Sequence, residues 1–181
     1  MIIAKQKKKE NIIEYILYMW QIEDMIRSFS LNITTIEEKI INQFQFENKN
    51  EKKEMLDWYN GLIMQMKEEN IIEKGHLQFL KNTINDLYDL HLYMIEKKNV
   101  QYLQFYSWAK SHLVKLQELS KNSTENEIEA GLNGLYGFLM LKLQKRKISK
   151  ETQDSIQAIS QMMAQLSETY LKIESGDMEL K

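Results

Sequence analysis

Cysteine and proline are both absent from this chain, and glycine occurs only six times in 181 residues. Without cysteine there is no disulfide, no thiolate nucleophile, no Cys-ligated zinc and no iron–sulfur cluster. Proline ends helices by removing a backbone donor and crowding the preceding turn. An average chain carries about 5 % of it, so its absence fits long helices with short connections. An A/T-biased genome, consistent with the abundance of Lys, Asn and Ile, depletes proline as well.

Long apolar runs are missing too. No stretch approaches the ~18 uninterrupted apolar residues of a membrane span. The apolar opening Met1-Ile-Ile-Ala4 meets charge too soon for a signal peptide. Charge is balanced, with 24 Lys and Arg against 26 Asp and Glu for a net −2, so the whole molecule has no pull toward nucleic acid or anionic lipid. These absences predict a soluble, cytoplasmic protein with no nucleic-acid partner, no membrane partner and no cofactor.

What is present is helical periodicity. The spacing of apolar residues predicts one domain over 1–176, an all-α bundle of about seven helices, followed by a loose tail over 177–181. The segment Asn11–Phe29 is apolar on almost every side, with a polar stripe only at Glu10, Glu14, Gln21 and Ser28. It belongs at the centre. Lys5, Lys7, Lys8 and Lys9, just before it, read as a solvated, frayed start. Thr34 and Thr35 with Glu37 and Glu38 read as a capping box for a short helix buried through Ile36, Ile40, Ile41 and Phe44. A loop over 47–53 leads to a helix that buries Met55, Leu56, Tyr59, Leu62, Ile63 and Met66 and stops near Asn70. Helices then follow over about 77–97 and 100–120, joined by Lys98-Asn99, which sets them antiparallel. Residues 121–125 form a turn with an N-cap at Ser123 or Thr124. The next helix carries Ile128, Leu132, Leu135, Leu139 and Leu143, and Ser149 caps the last. Trp20, Trp58 and Trp108 lie on apolar faces as core anchors, each indole N–H needing an acceptor.

Glu23 and Arg27 fall among Ile12, Ile16, Met19, Trp20 and Ile26, so the central helix carries two charges inward. At i, i+4 they can pair. Arg27 is one of only two arginines among the 24 basic residues. A guanidinium suits such a place because it is weakly hydrated and offers a planar fork. The plain reading is a structural ion pair, and such pairs add little net stability after desolvation. The functional reading is the polar floor of a ligand site. His91 and His112 sit on the apolar sides of the two adjoining helices and could face the same interior. Glu23, Arg27, His91 and His112 are therefore the candidate ligand-binding cluster, with His91 as its possible general base. Satisfied core histidines are the plainer alternative.

A metal site finds little support. Glu73-Lys-Gly-His76 has the E-x-x-H spacing of helical di-iron sites, but those need two copies and two further glutamates. Asp86 and Asp89 face away from His91. No metal ligand set is expected. Gly131, Gly134 and Gly137 each cost about 1 kcal/mol in a helix interior, which points to a closely approaching backbone or ligand along that side. In the last helix Ile156, Ile159, Met163, Leu166, Tyr170 and Ile173 recur at 3-4-3-4-3, an a/d seam. Such a seam docks on its own bundle or zips against a second copy, and so is a candidate interface.

Ile2–Arg27, Glu73–Leu77 and Asn85–Leu92 resemble an uncharacterised bacterial family, typical of Bacteroidetes, of about this length. The resemblance implies an all-helical bacterial cytosolic protein and brings no activity, cofactor or site residue with it. The residues support two functional readings. The first is a non-catalytic protein that associates with a protein partner or with itself. The second is a small-molecule binder or enzyme with the Glu/Arg/His cluster between the helices over 11–29, 77–97 and 100–120.

Overall fold

A central helix apolar on all sides needs neighbours on all sides, and the computed structural model, which describes residues 2–120 and 126–180, supplies them. The helices are α1 (Ile2–Glu10), α2 (Ile12–Ser28), α3 (Ile33–Lys39), α4 (Lys49–Glu68), α5 (Gln78–Glu96), α6 (Val100–Leu119), α7 (Glu127–Leu143) and α8 (Lys150–Glu174). A 3-10 turn at Ile41–Gln43 follows α3. There is no strand among the described residues, so the fold is all-α. No helix among them is long and apolar enough to cross a membrane.

α2 buries Ile12, Ile13, Tyr15, Ile16, Met19, Trp20, Ile22, Glu23 and Ile26. It packs on α7 and α8, while α6 and α8 form the most extensive helix pair. The seam of α8 is largely spent inside the chain's own bundle, against α7 as well as α6. Ile159, Met163 and Leu166 are buried there, and Tyr170 and Ile173 pack half-buried against the same core.

Several expected boundaries shift, each for a local reason. The lysine-rich start is helical, because Ala4 is buried, Lys7 pairs with Glu14 at 2.9 Å and Lys8 lies over the Tyr15 ring. It stops at Asn11, whose side chain caps α2 by accepting from Ile13 N and Glu14 N. Ser167 of α8 completes the joint by accepting from Ile12 N and donating to Asn11 Oδ1. Asn32, not a threonine, caps α3 by accepting from Thr35 N. Residues 49–53 belong to α4, since Asn48 caps it and Glu51 Oε2 accepts from Glu47 N. The expected caps Ser123 and Thr124 lie outside the described residues, and the residue that caps α7 is Asn126. Trp58 is only half-buried and Trp108 is 49 % exposed, so Trp20 alone of the three is an interior anchor.

Other sequence signals stand as read. Asn70 adopts φ 56° and ends α4, with Ile71 N donating to Met66 O. Lys98, at φ 53°, makes the tight connection between α5 and α6. Ser149 caps α8 through Thr152 N. Leu80, Ile84, Leu87, His91 and Met94 form the buried face of α5.

Candidate functional site

The first candidate centre starts from a helix end. The first residues of a helix leave backbone N–H groups without partners, and α5 begins at Leu77-Gln78 with no capping side chain of its own. Its donors reach back along the chain instead. Glu69 Oε2 accepts from Gln78 N at 2.7 Å, and Glu23 Oε1 accepts from Leu77 N at 2.8 Å. The other Glu23 oxygen lies 2.6 Å from His76 Nδ1. Glu23 is fully buried, whereas the His76 side chain is 28 % exposed. The imidazole stacks on the Trp20 indole, with centroids 4.2 Å apart and planes 16° apart. Trp20 Nε1 is buried and has no acceptor among the described residues.

Arg27 does not pair with Glu23. Its Nη1 meets Asp24 at 2.9 Å, and its other nitrogens donate to the carbonyls of Ile71 and Gly75. Gly75 holds φ +95°, a left-handed backbone that a side chain would strain, and this turns its carbonyl into the loop. Asp24 also accepts from the Tyr136 hydroxyl at 2.6 Å, and burial together with that bond holds the phenol well above its ordinary range. One face of α2, through Trp20, Glu23, Asp24 and Arg27, thus clamps the segment 71–77 and ties it to α7.

His91 belongs to a different centre. It is 1 % exposed, with Nδ1 2.6 Å from the Tyr102 hydroxyl and Nε2 3.1 Å from Glu127. Burial foremost, then the nearby Glu127 charge, pushes the Tyr102 phenol up and keeps it protonated. The phenol of Tyr102 thus faces Nδ1, and Nε2 faces the Glu127 carboxyl. Tyr106 donates to the other Glu127 oxygen at 3.1 Å. The His91 bond is the main cause that holds the Glu127 carboxyl below its ordinary value. Each polar atom here has a partner, the arrangement of a structural network.

His112 Nδ1 lies 3.0 Å from Ser155 Oγ on α8. Among the described residues no hydrogen bond or ion pair joins any two of Glu23, Arg27, His91 and His112. His91 and His112 lie on different helices with different partners, and both oxygens of Glu23 are taken by the 76–77 segment. His76 is the partner that periodicity alone did not name. Among the described residues no three His, Asp or Glu side chains are grouped to hold a metal ion.

A family model described as a domain of unknown function, DUF4924, matches residues 1–177. The chain belongs to that family. The match takes in α1 to α8 entire, so the clamp, the His91 network and the surface described next all lie within the family's domain. Among the curated proteins and the solved structures nothing matches it.

The third feature is apolar. A groove of about 470 Å³ runs between α6, α7 and α8, walled by Leu116, Leu119, Phe138, Leu141 and Ile156. Ala130, Asn133, Gly134, Gly137, Phe138 and Leu141 line it from one face of α7, at helical spacing. The glycines separate into two kinds. A Cβ at Gly131 would press on Leu113 Cδ2 at 3.1 Å and on Met163, and one at Gly134 would meet Leu116 Cδ1 at 2.6 Å. A Cβ at Gly137 would meet nothing within 4 Å. Close packing within the chain accounts for the first two and not for the third. Beyond the groove, Leu143 is 63 % exposed rather than continuing a buried stripe, and Leu119 at the groove's edge is 81 % exposed.

Proposed function

We propose that this chain is a non-catalytic association module of the bacterial cytosol, of a kind typical of Bacteroidetes, that docks a protein along the α6–α7–α8 groove. The carrying observation is Gly137, a mid-helix glycine with open space above it on an apolar groove floor. Such a glycine costs about 1 kcal/mol against alanine, and among the described residues no neighbour uses the space. The exposed leucines at the groove's margins add the apolar surface that interface cores require. Of the α8 seam, Ile156 borders this surface, while Ile159, Met163 and Leu166 are buried in the chain's own core.

A photo-crosslinking amino acid at Leu141, in the expressed full chain, tests the reading, with the exposed α4 position Lys67 as control. Light-dependent adducts at 141 and none at 67 are the expected result. No adduct at 141 above the control ends the reading.

A small-molecule site at His76 is a second reading, favoured by a Trp20 Nε1 without an acceptor among the described residues, beneath a partly exposed imidazole. It requires a metabolite that raises the melting temperature of the wild-type chain and not of His76→Ala. A screen without such a compound removes it.

A further inference from the structure

The groove has a chemically distinct end. From Lys142 to Lys150 the chain carries Lys142, Lys145, Arg146, Lys147 and Lys150 with no acidic residue between them, in a protein of net charge −2. All five are exposed. Lys142 lies over the Phe138 ring at 4.5 Å, at the groove wall. Among the described residues none of the other four makes an ion pair. A second concave surface, lined by Phe138, Lys142, Ile148 and Ile156 with Gln153, Gln157 and Gln161, shares Phe138 and Ile156 with the groove and takes in Lys142 and Ile148 of this basic segment.

Fold stability does not call for this much positive charge. Cations favour a helix C-terminus, and Lys142, in the last turn of α7, meets that need. Lys150 is the first residue of α8, where a cation opposes the helix dipole. Five like charges also repel one another. The cluster is therefore a run of cations without ion-pair partners among the described residues, adjoining the apolar groove where Lys142 lies over Phe138.

We infer that the occupant of the groove is an acidic amphipathic helix of a partner protein, its apolar face against Phe138, Leu141 and Ile156 and its carboxylates against the 142–150 segment. This rests on the association reading above and names the partner's chemistry. A helix presents apolar residues at i, i+3, i+4 and i+7 to such grooves, and Gly137 lets its backbone approach the floor. Leu119 and Leu143 protrude as lipid contact requires, but Gly137 lines a groove between α6 and α8, and a groove fits a helix better than a flat bilayer does. Opposite charge adds steering and register to the apolar contact.

The probe is a synthetic helix of roughly 18 residues, leucine on the docking face and glutamate elsewhere, read by fluorescence anisotropy against the full-length chain. Its lysine counterpart and phosphatidylglycerol vesicles are run beside it. The glutamate peptide is expected to bind, with affinity falling as salt rises, and the lysine peptide to bind at least about tenfold more weakly. Arg146→Glu with Lys147→Glu, both on the exposed connection, is expected to weaken the glutamate peptide about tenfold without lowering the melting temperature. Gly137→Leu, which fills open space, is expected to abolish its binding while the helical circular dichroism is kept. Equal binding of both peptides, binding indifferent to the charge reversals, or binding to vesicles alone overturns the inference. Should the acidic peptide fail while crosslinks persist at Leu141, the occupant is of another kind, and adducts of twice the chain's mass identify a second copy. Loss of both results removes the association reading itself.

Discussion

Glu23 and His76 stand 53 positions apart in the chain and meet at 2.6 Å, the carboxylate fully buried and the imidazole at the surface. The same carboxylate takes the N–H of Leu77, so one side chain of α2 both orients the ring and supplies the missing cap of α5. Removing it strands two donors at once. Glu23→Ala is expected to cost about 3 kcal/mol in urea unfolding, the upper end for leaving buried hydrogen-bonding groups unpaired. A loss below about 1 kcal/mol would mean the two donors find water.

Arg27 holds the same segment from its other side, through two carbonyls and Asp24. A lysine there keeps the charge and loses the fork. Arg27→Lys is expected to speed amide exchange across residues 71–77 by about tenfold while α6 and α8 keep their protection. Unchanged exchange would show that Gly75 and the Glu23 bond suffice.

The His91 network makes stability depend on acid. Glu127 has its carboxyl held below the ordinary value of 4.5, chiefly by His91. The ionised form is thus favoured in the folded state. Its stabilisation is complete above the unfolded value and is lost as pH falls through the lower folded one. Melting temperatures measured from pH 6 to pH 3 should fall less steeply for Glu127→Gln than for wild type. Parallel slopes would place the acid sensitivity elsewhere.

The glycines of α7 give a prediction of opposite signs. Gly137→Ala adds a methyl to open space and should stabilise the helix by about 0.5–1 kcal/mol. Gly131→Ala pushes on Leu113 and Met163 and should destabilise the protein despite the same gain in helix propensity. Thermal denaturation of the pair decides it, and matching signs would refute the distinction.

The seam of α8 can be tested in the same way. Ile159 and Leu166 are fully buried, so Ile159→Asp with Leu166→Asp should lose cooperative unfolding, because each places an unpaired carboxylate in the core. A folded double variant of lower mass would instead make the seam an interface between copies.

Where sequence reading succeeded, it rested on local rules. The apolar wrap of α2, the α8 seam, the Asn70 stop and the Ser149 cap follow from period and capping chemistry within a few residues. The missed pairings are nonlocal. Arg27 was free to pair at i, i+4 with Glu23 and instead took Asp24 and two carbonyls of a distant loop. A sign of the Glu23 arrangement was nevertheless present: Gly75-His-Leu-Gln78 opens a helix without Ser, Thr, Asp or Asn. A start of that kind needs an acceptor from elsewhere, and Glu23 is the acid that periodicity places inside.

The sequence by itself determined that this chain is helical, roughly where each helix lies, and that Glu23 and His91 would be buried, because helical period and caps are set by neighbours within a turn or two. Only the tertiary structure decided which donor each buried group meets, and that α7 would leave Gly137 bare beside a basic segment. Partners come from helix packing across the whole chain, and packing chooses among contacts that are equivalent in local pattern.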